Sequence, residues 1–102
     1  MIIGEEIVCL SYFQAKPQFR EALIKELLQL VKPTLNEPGC LIYELLIDES
    51  DPNFLIMSEK FANKEALEFH EKQDYIVQFV AGPMAYMCER VTWNIARKLA
   101  NE

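Results

Sequence analysis

The chain has few of the groups that mark the commoner binding and catalytic classes. Its 102 residues include one histidine, and the 10 lysines and arginines are outnumbered by 16 acidic residues, for a net charge of −6. It has no run of basic residues and no basic stripe with interleaved aromatics. Contact with a phosphate backbone needs such a positive footprint, so nucleic acid is not an expected partner. The three cysteines, Cys9, Cys40 and Cys88, form no C-x-x-C pair, and an odd number closes no disulfide framework. Each lies in a strand-like segment and reads as a buried, reduced thiol. With a single histidine and scattered cysteines no zinc or iron site can be read, and no metal or cofactor is expected. The longest uncharged windows are residues 7–15, too short for a bilayer, and 75–88, interrupted by Gly82-Pro83. The N-terminus lacks a charged segment followed by an apolar run, so no signal peptide is expected. The cytoplasm is then the default location.

What is present fits a single domain spanning residues 1–102. The apolar fraction is 51%, at the upper edge of ordinary globular usage. Residues 5–13 read as a strand in which Ile7, Cys9, Ser11 and Phe13 alternate with Val8, Leu10 and Tyr12. A helix is expected from Lys16 to about Leu35, with Pro17 in its first turn and Pro33 breaking or kinking its last. It carries two adjacent apolar stripes, Phe19-Leu23-Leu27-Leu30-Thr34 and Ile24-Leu28-Val31-Leu35. Glu37-Pro38-Gly39 is a turn. Residues 40–48 follow as a strand, with Cys40, Ile42 and Leu46 on one face and Leu41, Tyr43, Leu45 and Ile47 on the other. A polar hairpin loop covers 48–53, and residues 54–61 form the third strand. Asn63 is an expected helix N-cap and Asp74 the cap of a second short helix that ends at Gly82-Pro83. Residues 87–95 fit helical and strand spacings almost equally. The strand is favoured by Val91-Thr92-Trp93 and by the need for a fourth strand. The tail from Ala96 is expected to be short and partly exposed.

The resulting order, β-α-β-β-α-β, is that of an α+β, ferredoxin-like domain with a four-stranded antiparallel sheet. Right-handed crossovers place both helical segments on one face of the sheet. The strands nevertheless lack the clean apolar–polar alternation of a sheet with one solvated face. The uncovered face is therefore expected to join a second copy in a homodimer packed sheet to sheet. The alternative is an apolar patch serving another protein.

The run Glu37-Pro38-Gly39-Cys40-x-x-Tyr43-x-Leu45-x-x-Asp48 resembles the second-strand signature of the antibiotic biosynthesis monooxygenase superfamily. Glu59-x-Phe61 and Glu65-Ala66-Leu67-x-x-His70 resemble that superfamily's third strand and second helix. The resemblance implies a dimeric α+β barrel with a cavity between sheet and helices in each subunit. Its members include oxygenases of anthrones and quinols that use neither metal nor flavin, haem degraders, isomerases of a phosphorylated autoinducer sugar, and proteins of no known activity. Two positions depart from the pattern. Phe61 stands where a tryptophan is usual, and Tyr75 where many members have a second histidine. Strand one offers Cys9 and Ser11 in place of the asparagine that haem degraders use, which disfavours a haem role.

Within that frame His70 is the candidate base, since an imidazole titrating near neutrality can remove an acidic C–H or O–H proton. Its structural alternative is to finish a helix or satisfy a buried carbonyl. Glu59, on an apolar strand face, is expected to orient His70 or act as an acid or base. Its alternative is an ion pair with Arg90 or Lys60. Tyr43, Phe61 and Tyr75 are the candidate substrate-binding residues, with plain aromatic packing as the alternative. Glu44 is expected to pair with Arg90 of either subunit. The leading expectation is a cofactor-independent monooxygenase acting on a small quinol- or anthrone-type aromatic with O2. The alternatives are an isomerase of a small phosphorylated metabolite, which would need cations in its cavity, and a non-catalytic ligand-binding or stress-related dimer.

Overall fold

The computed structural model describes residues 2–100, which form a four-stranded antiparallel sheet in the order β2-β3-β1-β4. Strand β1 spans Ile2–Ala15, β2 Cys40–Ile47, β3 Phe54–Phe61 and β4 Cys88–Ala100. The expected ferredoxin-like α+β architecture is present. In β3, Leu55, Met57, Glu59 and Phe61 are buried, whereas Phe54, Ile56, Ser58 and Lys60 are only half-buried. The helices therefore cover one face of the sheet, and the other stays open.

The first helical segment is divided. A 3-10 turn at Pro17–Phe19 leads into α1 (Arg20–Gln29), and α2 (Val31–Leu35) follows after Leu30. The break is placed by Pro33, which has no N–H to donate to the carbonyl of Gln29 four residues earlier. Of the two apolar stripes, Leu23, Leu27, Leu30 and Thr34 are buried, while Leu28 and Leu35 remain exposed. The second segment comprises α3 (Lys64–Glu71), α4 (Asp74–Ala81) and α5 (Pro83–Met87). Asn63 caps α3 as expected, its Oδ1 accepting the Ala66 N–H at 2.9 Å.

Four expectations need correction. The N-cap of α4 is Gln73, and Asp74 is the first helical residue, where its charge still favours the positive end of the helix. A further helical turn, α5, starts at Pro83, a residue preorganised for a first helical position. It carries Met87, so β4 begins only at Cys88. Strand β4 then runs on to Ala100 because it pairs with β1 along almost its whole length, beyond the expected end at Ile95. Arg97 and Lys98 are exposed there and need no burial. Finally, a register shift between Cys40 and Ile42 turns Cys40 to the helix-covered face opposite Phe61, away from Ile42 and Leu46.

Phe13, Leu23, Leu27, Leu55, Met57 and Phe79 anchor the main core, and Ile7, Phe61, Ala66 and Leu67 form a second cluster beneath α3. The turn before β2 fits closely against α3. Gly39 has φ 85°, and a Cβ there would stand 2.6 Å from the Ala66 Cβ. Gly39→Ala is thus expected to destabilise the fold by about 1–3 kcal/mol, from left-handed strain plus the clash. A urea unfolding midpoint equal to that of the wild type would contradict this packing.

Candidate functional site

The period-two alternation of β3 points Glu59 at the helical layer, between Tyr43 on β2 and Cys9 on β1, its register partners. His70 comes down from the last turn of α3. Its ring packs between Tyr43, with ring centroids 5.3 Å apart, and Phe61 at 5.1 Å. Glu37 enters from the turn after α2. All three polar residues are buried, with His70 and Glu59 at 5% exposure and Glu37 at 7%.

Their contacts assign distinct roles. His70 Nδ1 lies 3.1 and 3.0 Å from the two carboxylate oxygens of Glu37. An ionised carboxylate only accepts, so Nδ1 carries a proton and donates it. The Tyr75 hydroxyl donates to Glu37 Oε2 on the far side and lies 3.3 Å from the Pro33 carbonyl. His70 Nε2 faces Glu59 Oε1 at 3.8 Å, beyond hydrogen-bond reach. Glu59 in turn accepts from the Ser11 hydroxyl at 2.9 Å.

Burial pushes the Glu59 carboxyl up to about 7; the Ser11 hydrogen bond opposes this, and the negative charges of Glu71 and Glu37 add to it. Burial likewise pushes the Cys9 and Cys40 thiols up to about 11, with nearby carboxylates adding to the rise, so both stay protonated and unreactive. The Tyr43 hydroxyl is also raised, mainly by burial.

His70, Glu59, Tyr43, Ser11 and Cys9 border a cavity of about 290 Å3 between sheet and helices. Cys9, Ser11, Phe13, Tyr43 and Glu59 contribute the sheet side, and Leu27, Leu30, Leu67, His70, Ile76 and Phe79 the helix side. Towards β4 the wall is Val91, Trp93 and Ile95, with Trp93 62% exposed. Among the described residues no three His, Cys, Asp or Glu side chains converge as a metal site would require.

His70, Glu59 and Tyr43 therefore meet at one cavity. Phe61 and Tyr75 lie behind its wall, Phe61 as packing for the imidazole and Tyr75 as a donor to Glu37. The ion-pair alternative for Glu59 does not occur. Lys60 pairs with Glu6 at 3.3 Å, and Arg90 is the β4 partner of Gln14. Glu44 and Arg90 lie on the two opposite edge strands, so they cannot pair within one subunit. Sequence reading missed Glu37, Ser11 and Glu71. Ser11 had left a signal, as the one hydroxyl on the stripe Ile7-Cys9-Ser11-Phe13.

A family profile described as antibiotic biosynthesis monooxygenase matches residues 7–82. The chain belongs to this family. An uncharacterized protein of Synechocystis sp. is 30% identical over 76 residues, covering 74% of this chain and 52% of the relative. The chain thus spans about half the length of that relative. The Bacillus subtilis protein YcnE, provisionally named a monooxygenase, is 32% identical over 75 residues, which cover 74% of this chain and 79% of YcnE. A crystal structure of a Shewanella oneidensis protein superposes with a TM-score of 0.92 at 30% identity, covering 95% of both chains. A Nitrosomonas europaea structure provisionally assigned to the same family, at 18% identity and a TM-score of 0.88 over 97% of this chain and 95% of the other, shares the fold. None of the described helices of this family member is long and apolar enough to cross a membrane.

The raised Glu59 carboxyl has a stability consequence. Below its ordinary value of 4.5 it is protonated whether the chain is folded or unfolded. Between 4.5 and about 7 the unfolded chain gives up the proton while the folded one keeps it, so stability falls as pH rises. Glu59→Gln is expected to remove this term. The variant should match the wild type near pH 4 and exceed it at pH 8 by up to about 3 kcal/mol. Chemical denaturation across that range tests it, and a wild-type-like pH slope in the variant would contradict the assignment.

Proposed function

We propose that this family member is a cofactor-independent monooxygenase that oxidises a small hydroxylated aromatic of quinol or anthrone type with O2. The observation that carries the reading is the imidazole of His70, fixed at Nδ1 by Glu37 while Nε2 opens on an apolar cavity. This is the arrangement of a positioned general base. Glu37 holds the tautomer and would stabilise the imidazolium that forms, and Tyr75 holds Glu37. A cavity of about 290 Å3 suits one or two fused rings.

In this reading Nε2 removes a proton from the substrate and leaves an electron-rich anion. One electron passes to O2, and recombination of the two radicals forms a C–O bond as a peroxide. The imidazolium returns the proton, the O–O bond breaks, and water leaves. For an anthrone-type CH2 the sum is CH2 plus O2 giving C=O plus water. A carboxyl with a pKa of about 7, in contact with Ser11, places a second proton donor beside the same space. An isomerase of phosphorylated metabolites would need cations in the cavity, and among the described residues no lysine or arginine lines it.

His70→Ala should lower kcat/KM at least about 100-fold on any substrate of this class. Glu37→Gln should lower kcat with little change in KM, because Glu37 acts through His70. Oxygen consumption over a panel of quinols and anthrones measures both. Unchanged turnover of every active substrate by His70→Ala would sink the assignment.

We further propose that the protein works as a homodimer joined through the open sheet face. Ile42 and Leu46 are exposed on it, beside Leu10 and Ile56, and Tyr12 stacks on Phe54 there with ring centroids 5.9 Å apart. Covering that face would bury about 800 Å2 per subunit, an ordinary specific interface. Light scattering should give twice the 11.9 kDa chain mass at micromolar concentration, and Leu46→Lys should shift it towards the monomer. A wild-type monomer under those conditions would rule the dimer out.

A further inference from the structure

Two carboxyl side chains stand in the otherwise largely apolar lining of the cavity. Glu59 lies on its sheet side, and Glu71, the last residue of α3, is an exposed part of its lining. Among the described residues no lysine or arginine lines it. Arg97 shares the strand face of Ile95 two residues further along β4 but lies outside the wall. The negative charge of Glu71 reaches inside, since it helps to raise both the Glu59 carboxyl and the Cys9 thiol. A polar atom faces the same space. His70 is 5% exposed and borders the cavity, and among the described residues its Nε2 has no hydrogen-bond partner, the nearby Glu59 oxygen being 3.8 Å away. A ligand that offers a hydroxyl to Nε2 therefore sits within the field of Glu71.

We propose that Glu71 is a specificity-determining residue that selects ligands by charge, so that the cavity takes uncharged hydroxylated aromatics and rejects their anionic counterparts. The proposal rests on the reading of the cavity as a site for such aromatics and adds the charge class of the ligand. The physical cause is like-charge repulsion in a partly desolvated space. An anion entering would lose hydration and meet a carboxylate, with no compensating cation.

The test compares 6-hydroxy-2-naphthamide with 6-hydroxy-2-naphthoate, which match in shape, carry the hydroxyl away from the variable group and differ by one charge. Trp93 lines the cavity and is the one tryptophan of the chain, so its indole N–H signal in a nitrogen-15 correlation spectrum reports binding there without turnover. At pH 7.5 and low salt the amide should bind at least about tenfold more tightly than the carboxylate. Glu71→Gln should reduce that ratio to below about threefold by tightening the carboxylate, and Glu71→Lys should invert it. Glu71 is exposed at a helix C-terminus, where losing a negative charge does not harm the helix, so both variants should fold. Equal affinities in the wild type would overturn charge selection, a ratio that survives Glu71→Gln would overturn Glu71 as its source, and either would leave the aromatic site standing. No movement of the indole signal with either probe at millimolar concentration would overturn both.

Discussion

The buried pair of Glu37 and His70 is the contact on which the arrangement of the helical layer depends. A carboxylate at 7% exposure is tolerated only when its oxygens are occupied by donors, and here the donors come from two different helices. His70 on α3 and Tyr75 on α4 both converge on Glu37, which itself sits in the turn between α2 and β2. Three elements are thereby held at one point. The same geometry explains Gly39. The turn must approach α3 closely enough for the carboxylate to reach the imidazole, and there is no room for a Cβ between the turn and Ala66.

Glu59 shows the opposite balance. It is as deeply buried as Glu37, yet its nearest donor is a neutral serine, and the imidazole stops at 3.8 Å. Burial therefore dominates and the carboxyl holds its proton to about pH 7. Two carboxyl groups thus flank one imidazole in different environments. One is occupied by donors and fixes orientation. The other keeps its proton to near neutrality and faces open space. Such a separation of environments lets one site hold both a base and an acid near neutral pH.

Much of the frame was legible in the sequence because it follows from local rules. Strand alternation placed Glu59, Met57 and Phe61 on one face, the side chain of Asn63 marked the start of α3, and Pro33 marked the break before α2. Glu59 stood out as a carboxylate on an apolar strand face, whereas His70 and Tyr43 were singled out by the motifs that resemble the family's second helix and second strand. Glu37 was not, because a glutamate before Pro-Gly reads as a solvated turn residue. Its burial is decided by a histidine 33 positions away. The full length of β4 was hidden for a related reason. Arg97 and Lys98 look like the end of a strand until β1 is seen to supply their backbone partners. The sequence carries local conformation plainly, whereas burial of a turn and extension of an edge strand are set by the tertiary pairing.

The two faces of the sheet are mechanically one object. Along β1 and β3, each residue that lines the cavity alternates with one on the open face, so Ser11 lies between Leu10 and Tyr12, and Glu59 between Ser58 and Lys60. Anything that packs against the open face fixes the strands that carry Ser11 and Glu59. The base and acid of the proposed reaction would sit on opposite layers and need that constraint, because His70 moves with α3 whereas Glu59 moves with the sheet. The Tyr43 and Phe61 rings on either side of the imidazole are the contacts that tie the two layers together at this point. Phe61 thereby acts on the site from behind the wall, since a ring wedged between β3 and α3 sets how closely Nε2 can approach the Glu59 carboxyl.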